Sequence, residues 1–224
     1  MINIIRDPQI PDALSKNSFD GVKEALIKMQ HYKCYLCESK ESITTHIEHF
    51  KPKSQKGGKY EWQNLLLACD HCNSIKNYVA DKIEGFELLD CTNFDTIITD
   101  EIAFYCGGMP REKVRIEPVI SDGASKAIQD TVNLLNQIFN YNSESLAFDA
   151  KALTDEAIKE LKKLMDLIHE YEFNSFSEEK KNRLKLDIKD NLSVESPFTA
   201  FKIWFIKARY SGTEFMELLP TFDE

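Results

Sequence analysis

No stretch of this 224-residue chain approaches the ~18 consecutive apolar residues of a membrane-spanning helix. Its first residues, Met1 to Asp7, carry neither the basic start nor the long apolar run of a secretory signal. Both absences predict a soluble, cytoplasmic protein with no membrane partner. Positive charge is also scarce: 28 Lys and Arg stand against 37 Asp and Glu, a net charge of −9. That balance argues against broad, unassisted binding to nucleic acid, because neutralising phosphates demands a basic face. Internal repeats and low-complexity segments are missing too. With 42% apolar residues the chain can fill one substantial core, or join a small module to a larger one.

What is present is concentrated between Cys34 and Asn73. Two CxxC knuckles, Cys34/Cys37 and Cys69/Cys72, supply four thiolates in two pairs, the coordination number of zinc. In a chain without a secretory signal this spacing points to a structural Zn2+ rather than to disulfides. The interval of 31 residues between the pairs exceeds that of a zinc ribbon, so the intervening chain should fold into a hairpin or inserted loop. Cys91 and Cys106 fit neither pair and read as ordinary buried thiols.

Local patterns order the rest. Val22, Ala25, Leu26 and Met29 predict a short amphipathic helix from about Asp20 to Gln30. Ile43-Thr44-Thr45 predicts a strand, which Pro52 and Gly57-Gly58 should end and turn. Asn64 to Ala68 predicts a second strand or buried turn, and Asn73 to Ala80 a short helix, giving a ββα unit. Between Cys91 and Pro118, a stretch with Gly107-Gly108 and Pro110, no period is consistent, and a loop-rich or partly stranded connection is expected. From Ser125 helical spacing takes over, through Ile128, Val132, Leu135 and Phe139, then Ile158, Leu161, Leu164, Met165 and Ile168. Ser177, and Ser196 followed by Pro197, carry helix-start signals. Phe198, Phe201 and Phe205 share a face that reads as core, with Trp204, Lys202, Lys207 and Arg209 as a possible contact surface for a partner or nucleic acid. The expectation is an α+β, mainly α fold: a lead-in and helix over 1–30, a zinc-stapled module over 31–90, and a connection with a helical region over 91–224.

The chemistry lies between the knuckles. Cutting a phosphodiester needs a nucleophilic water, positive charge on the crowded phosphorane-like state, and stabilisation of the leaving oxygen. His49 is the candidate general base, since imidazole titrates near neutral pH. Glu48 and Asn73 offer hard oxygen ligands for a single catalytic Mg2+ or Mn2+. Neighbours on an ideal strand point to opposite faces, so Glu48 and His49 can serve one phosphate only where the strand distorts or ends. His46 shares the parity of Glu48 and either joins the metal shell, contacts phosphate or is a plain polar strand position. Asn64 could hydrogen-bond across the hairpin and hold the His49 backbone. Lys76, one turn beyond Asn73, reads as a phosphate contact or a solvated lysine, and His71 as exposed knuckle filler. Lys51, Lys53, Lys56 and Lys59 fall in an acid-free stretch, either a dock for a polyanion or a solvated loop.

The pattern Cys34-x-x-Cys37, Ile47-Glu48-His49-Phe50-x-Pro52, Trp62-x-Asn64-Leu65 and Cys69-x-x-Cys72-Asn73-x-x-Lys76 resembles the zinc-supported HNH endonucleases with a ββα-metal core. The resemblance implies His49 as general base, Glu48 as the acidic metal ligand in place of the more frequent aspartate, Asn64 as the central structural asparagine and Asn73 as the final metal ligand, an H-N-N variant. The wording Ile47 to Ser54 and the long helical tail are similar to the HNH subunit of bacterial anti-phage systems of the Septu type, some attached to retrons. In that group the nuclease works with an ABC/SMC-like ATPase, which implies a DNA-cutting effector whose partner holds or senses the DNA. Two other readings stand beside it: a non-catalytic zinc adaptor that recognises nucleic acid or a protein, and an HNH nuclease acting on RNA.

Overall fold

The computed structural model describes residues 1–41, 44–51, 58–107, 113–140, 147–173 and 176–222. Ile43, Pro52, Lys53, Ser54, Lys56, Gly57, Gly108 and Pro110 lie outside these residues. The lead-in carries α1 (Asp12–Ser15) and α2 (Val22–Met29), whose Val22 and Leu26 are fully buried. Gly21, at φ 71°, supplies the left-handed turn into α2. The first knuckle follows, then β1 (Thr45–His49), a 3-10 turn (Trp62–Asn64), β2 (Leu65–Cys69) and α3 (Asp70–Lys82). The order is the ββα expected from the residue pattern. β1 ends at His49.

β1 and β2 pair antiparallel with His46 opposite Ala68, Glu48 opposite Leu66 and His49 opposite Leu65. Period-two alternation then sorts the sheet into two faces. Ile47, Leu65 and Leu67 pack with Val22, Leu26, Leu14 and Trp62 on the α2 side. Leu66 and Ala68 pack on the other side with Cys72, Ile75 and Val79 of α3, so His46 and Glu48 look toward α3.

The connection is short on regular structure: α4 (Ile98–Glu101) runs into β3 (Ile102–Tyr105), which pairs antiparallel with β4 (Arg115–Pro118). Among the described residues that follow are four helices, α5 (Lys126–Asn140), α6 (Ala147–Phe173), α7 (Glu178–Leu192) and α8 (Thr199–Arg209), then a 3-10 turn (Glu214–Leu218). The molecule is α+β and mainly α. One buried cluster runs from Ile2 through the knuckle cysteines and α3 to Phe139, Phe198 and Phe201, joining the lead-in, the ββα unit and the helical region. A second holds α6, α7 and α8 together through Leu161, Leu164, Ile168, Ile188, Leu192 and Ile206. Met165 falls off that face and is exposed.

Two expectations in the helical region need correction. Ser196-Pro197 does not start α8, which begins at Thr199 behind Phe198, a residue at φ 54°. Nor are Lys202 and Lys207 free for a partner. Lys202 is fully buried, bonded to Ser196 Oγ at 2.7 Å and facing Glu160 at 3.7 Å. Lys207 and Trp204 both donate to Thr99 O, at 2.9 and 3.1 Å.

Candidate active site

The four knuckle cysteines are buried, and their sulfurs all lie within 4.8 Å of one another. Cys37 Sγ and Cys69 Sγ are 3.9 Å apart. A tetrahedral ion with metal–sulfur bonds of about 2.3 Å sets its ligands about 3.8 Å apart, so the spacing fits a tetrahedral thiolate site. The electrostatics ask for a cation. Burial pushes Cys72 well above the ordinary thiol range. Cys34 is held well below it, because hydrogen bonds from Cys37, Cys69 and Cys72 outweigh its burial. Four thiolates packed this closely would repel one another without a cation between them.

Gln30 sets the two knuckles in register. Its buried amide donates to Lys33 O and Leu67 O at 3.0 Å each, and its Oε1 accepts from Leu67 N at 2.7 Å. The helix that leaves the second knuckle therefore lies in a fixed position over β1. Along α3, Asp70, Asn73 and Lys76 recur every three residues on one side. Asp70 contacts His46 Nε2, and Lys76 Nζ reaches Glu48 Oε1 at 2.5 Å. Asn73, half-buried, is the middle member of the column by its helical position, and its Oδ1 accepts from Asn77 Nδ2 at 3.4 Å.

Lys76 is not a solvated lysine. Its side chain is 1% exposed and that of Glu48 12%. Its ammonium also donates to His49 O at 2.5 Å. Burial pulls the Lys76 ammonium down from its ordinary range, and Glu48 pulls it back. Behind Glu48, burial and then the Glu48 charge push the Tyr35 phenol well up, so it stays neutral.

His49 leaves this face at the end of β1. Its Nε2 lies 3.0 Å from Lys59 O, in a turn closed by Glu61 N to Gly58 O at 3.3 Å and by Gly58 N to Glu61 Oε2 at 3.1 Å. A Cβ at Gly58 would fall 2.4 Å from Glu61 Cδ. Because a carbonyl only accepts, Nε2 of the neutral ring carries the proton, and Nδ1 keeps the basic lone pair. Asn64 is buried, and its amide pairs with the backbone of Lys51: Lys51 N donates to Oδ1 at 2.7 Å and Nδ2 donates to Lys51 O at 3.1 Å. It clamps the chain two residues beyond His49 rather than at His49 itself. The turn that presents Asn64 is held by Arg6, which donates to Trp62 O, Gln63 O and Leu65 O at 2.7, 2.6 and 2.9 Å. Arg6 and Gln30 escaped sequence reasoning because their partners are distant backbone groups, which leave no trace in a local pattern.

His71 differs from its reading as exposed filler. Its side chain is 10% exposed, and its Nε2 lies 2.8 Å from Ile138 O, tying the second knuckle to α5. Cys91 is a buried thiol, its pKa pushed up to about 12 by that burial.

Residues 34–78 match the HNH endonuclease family model. The matched segment opens at the first knuckle and closes beyond Lys76, so it contains the four thiols, His46, Glu48, His49, Asn64, Asn73 and Lys76, while the anchors Arg6 and Gln30 lie outside it. The chain is also similar to the Septu protein PtuB of Bacillus mycoides (strain KBAB4), 35% identical over 91 residues, covering 33% of this chain and 30% of the relative. The chain thus aligns with less than a third of that relative's length. No solved structure matches it. No helix among the described residues is long and apolar enough to cross a membrane.

Proposed function

We propose that this protein is a metal-dependent HNH endonuclease that hydrolyses phosphodiester bonds of DNA, and that it serves as the effector of an anti-phage complex with an ABC/SMC-like ATPase. The observation that carries the reading is the HNH match over a segment whose thiol cluster fixes α3 against β1, with Glu48 and Asn73 on the facing surfaces and His49 at the strand end. Cys34, Cys37, Cys69 and Cys72 hold a structural Zn2+. Because Asn73 follows Cys72 directly, that ion also sets where its amide points.

The hard oxygens of Glu48 and Asn73 suit Mg2+ or Mn2+, which would supply the positive charge that the crowded phosphate and the leaving oxygen need. His49 Nδ1, freed by the bond of Nε2 to Lys59 O, takes the proton of the attacking water. A phosphate seated across the end of β1 meets Glu48 from one face and His49 from the other, which resolves the opposite parity of neighbours. Asn64 holds Lys51, fixing the backbone two residues beyond His49.

His49→Ala should lower Mg2+- or Mn2+-dependent nicking of a plasmid by at least about 100-fold while zinc content and helicity stay unchanged. Full cleavage by the variant would remove His49 from the chemistry. A wild-type protein that cuts neither DNA nor RNA, with the partner ATPase and nucleotide present, would leave the adaptor reading instead.

A further inference from the structure

The carboxylate offered to the catalytic ion already has a cation against it. Glu48 is the one carboxylate that the nuclease reading gives the ion, and the Lys76 ammonium already sits 2.5 Å from its Oε1, both side chains largely out of water. Asp70, one turn before Asn73 on the same column, is engaged by His46. Asn73 contributes a neutral carbonyl, and Tyr35 a neutral phenol behind Glu48. At the strand end Lys51 and Lys59 are positive, and Glu61, whose Oε2 accepts from Gly58 N, is negative. A divalent ion approaching the free protein meets a carboxylate whose charge is balanced, beside an ammonium that cannot turn away. Lys76 is tethered a second time, to His49 O at 2.5 Å, so it stays when Glu48 offers its other oxygen. Fixed like charges a few ångströms apart in a half-buried site repel strongly.

Resting on the nuclease reading, we propose that Lys76 is a resident counter-cation: it keeps the free site from holding its divalent ion, so that ion and nucleic acid bind as a pair, the phosphodiester bringing the negative charge the site lacks. By linkage each then tightens the other by the same factor. The acidic protein would carry a poorly loaded catalytic site until a polyanion is delivered to it, which suits an effector that must stay silent between encounters.

The test is Mn2+ binding, followed by loss of the free-ion EPR signal in the zinc-loaded His49→Ala protein, where substrate persists. It is run with and without a saturating oligodeoxynucleotide, corrected for Mn2+ bound by the oligonucleotide alone. The oligonucleotide should tighten Mn2+ binding at least about tenfold, and Lys76→Met should do so at least about tenfold with no oligonucleotide present. Affinity unchanged by the oligonucleotide overturns the proposal, as does affinity unchanged in a Lys76→Met protein that retains its zinc and helicity. If that variant does not fold, the oligonucleotide comparison decides alone. A Glu48→Gln arm separates the two levels. Mn2+ binding that ignores Glu48 in every condition sinks the nuclease assignment itself, whereas Glu48-dependent binding indifferent to Lys76 and to the oligonucleotide sinks only the counter-cation.

Discussion

At the scale of single residues the site is held by amides and ammonium groups that reach backbone atoms. Asn64 is the clearest case, because both ends of its amide engage Lys51 while its own carbonyl accepts from Phe50 N at 2.8 Å. Asn64→Ala leaves a part-buried N–H and C=O of Lys51 without partners, which costs about 1–3 kcal/mol. For a chain of this size that lowers the thermal midpoint by several degrees, on the order of 2–4 °C per kcal/mol. Asn64→Asp keeps the acceptor for Lys51 N but sets a buried carboxylate oxygen against Lys51 O, so it should rescue little of that loss. Differential scanning calorimetry on zinc-loaded proteins checks both; a midpoint unmoved by Asn64→Ala would mean water replaces the clamp. Asn64 could be picked out from sequence because it stands at the head of the second apolar run, opposite the histidines. Lys76 was visible as a residue and misread as a role. A lysine one turn past a ligand reads as solvent-facing unless a carboxylate 28 positions earlier is known to lie against it, and that contact exists only once α3 is laid on β1. His71 escaped for the same reason, its partner being the carbonyl of Ile138.

At the scale of elements, what was legible is what has a short period or a fixed spacing. The ββα order followed from the knuckles and two apolar runs, and its boundaries moved by only a few residues. Helix starts were mixed, and the two serines show why. Ser177 caps α7, accepting from Lys180 N at 3.4 Å with Glu178 and Glu179 in the first turn. Ser196 has the same local signature, yet its hydroxyl accepts from buried Lys202 and its carbonyl from Lys33 and Thr199. A buried ammonium outcompetes a helix start for the same oxygen, and α8 begins beyond it. The two alanine variants should therefore behave differently. Ser177→Ala should destabilise the first turn of α7 by about 1 kcal/mol, raising amide exchange there. Ser196→Ala should lower global stability, since Lys202, whose ammonium burial pulls down to about 8, loses a partner, while exchange at the first turn of α8 stays slow relative to the rest of that helix. Fraying confined to that turn would instead make Ser196 a cap. Native-state hydrogen exchange read by mass spectrometry distinguishes the two patterns.

At the scale of the whole molecule, a buried acid joins the first knuckle directly to the start of α8, beside the apolar cluster and the His71 contact. Glu38 follows Cys37, at φ 64°, and is 2% exposed. Its Oε2 accepts from Thr199 N at 2.9 Å and its Oε1 from Ala200 N at 3.2 Å, so the carboxylate of the first knuckle sits on the first amides of α8. Burial alone would raise its pKa, but the Met1 amino group and Lys33 outweigh burial and hold it below the ordinary glutamate value. A carboxylate with a depressed folded pKa adds stability at pH values above its unfolded pKa and loses it as the pH falls through the folded one, so Glu38→Gln should flatten acid unfolding below about pH 4.5. The same contact predicts how far the loss of metal travels. Ejecting the ion with a mercurial reagent converts the knuckle cysteines to bulky mercaptides that no longer hold the knuckle closed, and Glu38 moves with Cys37. Protection at Thr199 and Ala200 should then collapse together with that of β2 and α3, in one step that tracks zinc released to a colorimetric chelator. If α8 kept its protection after the zinc had gone, the helical region would be standing on its own clusters, and the knuckle would govern only the ββα unit beside it.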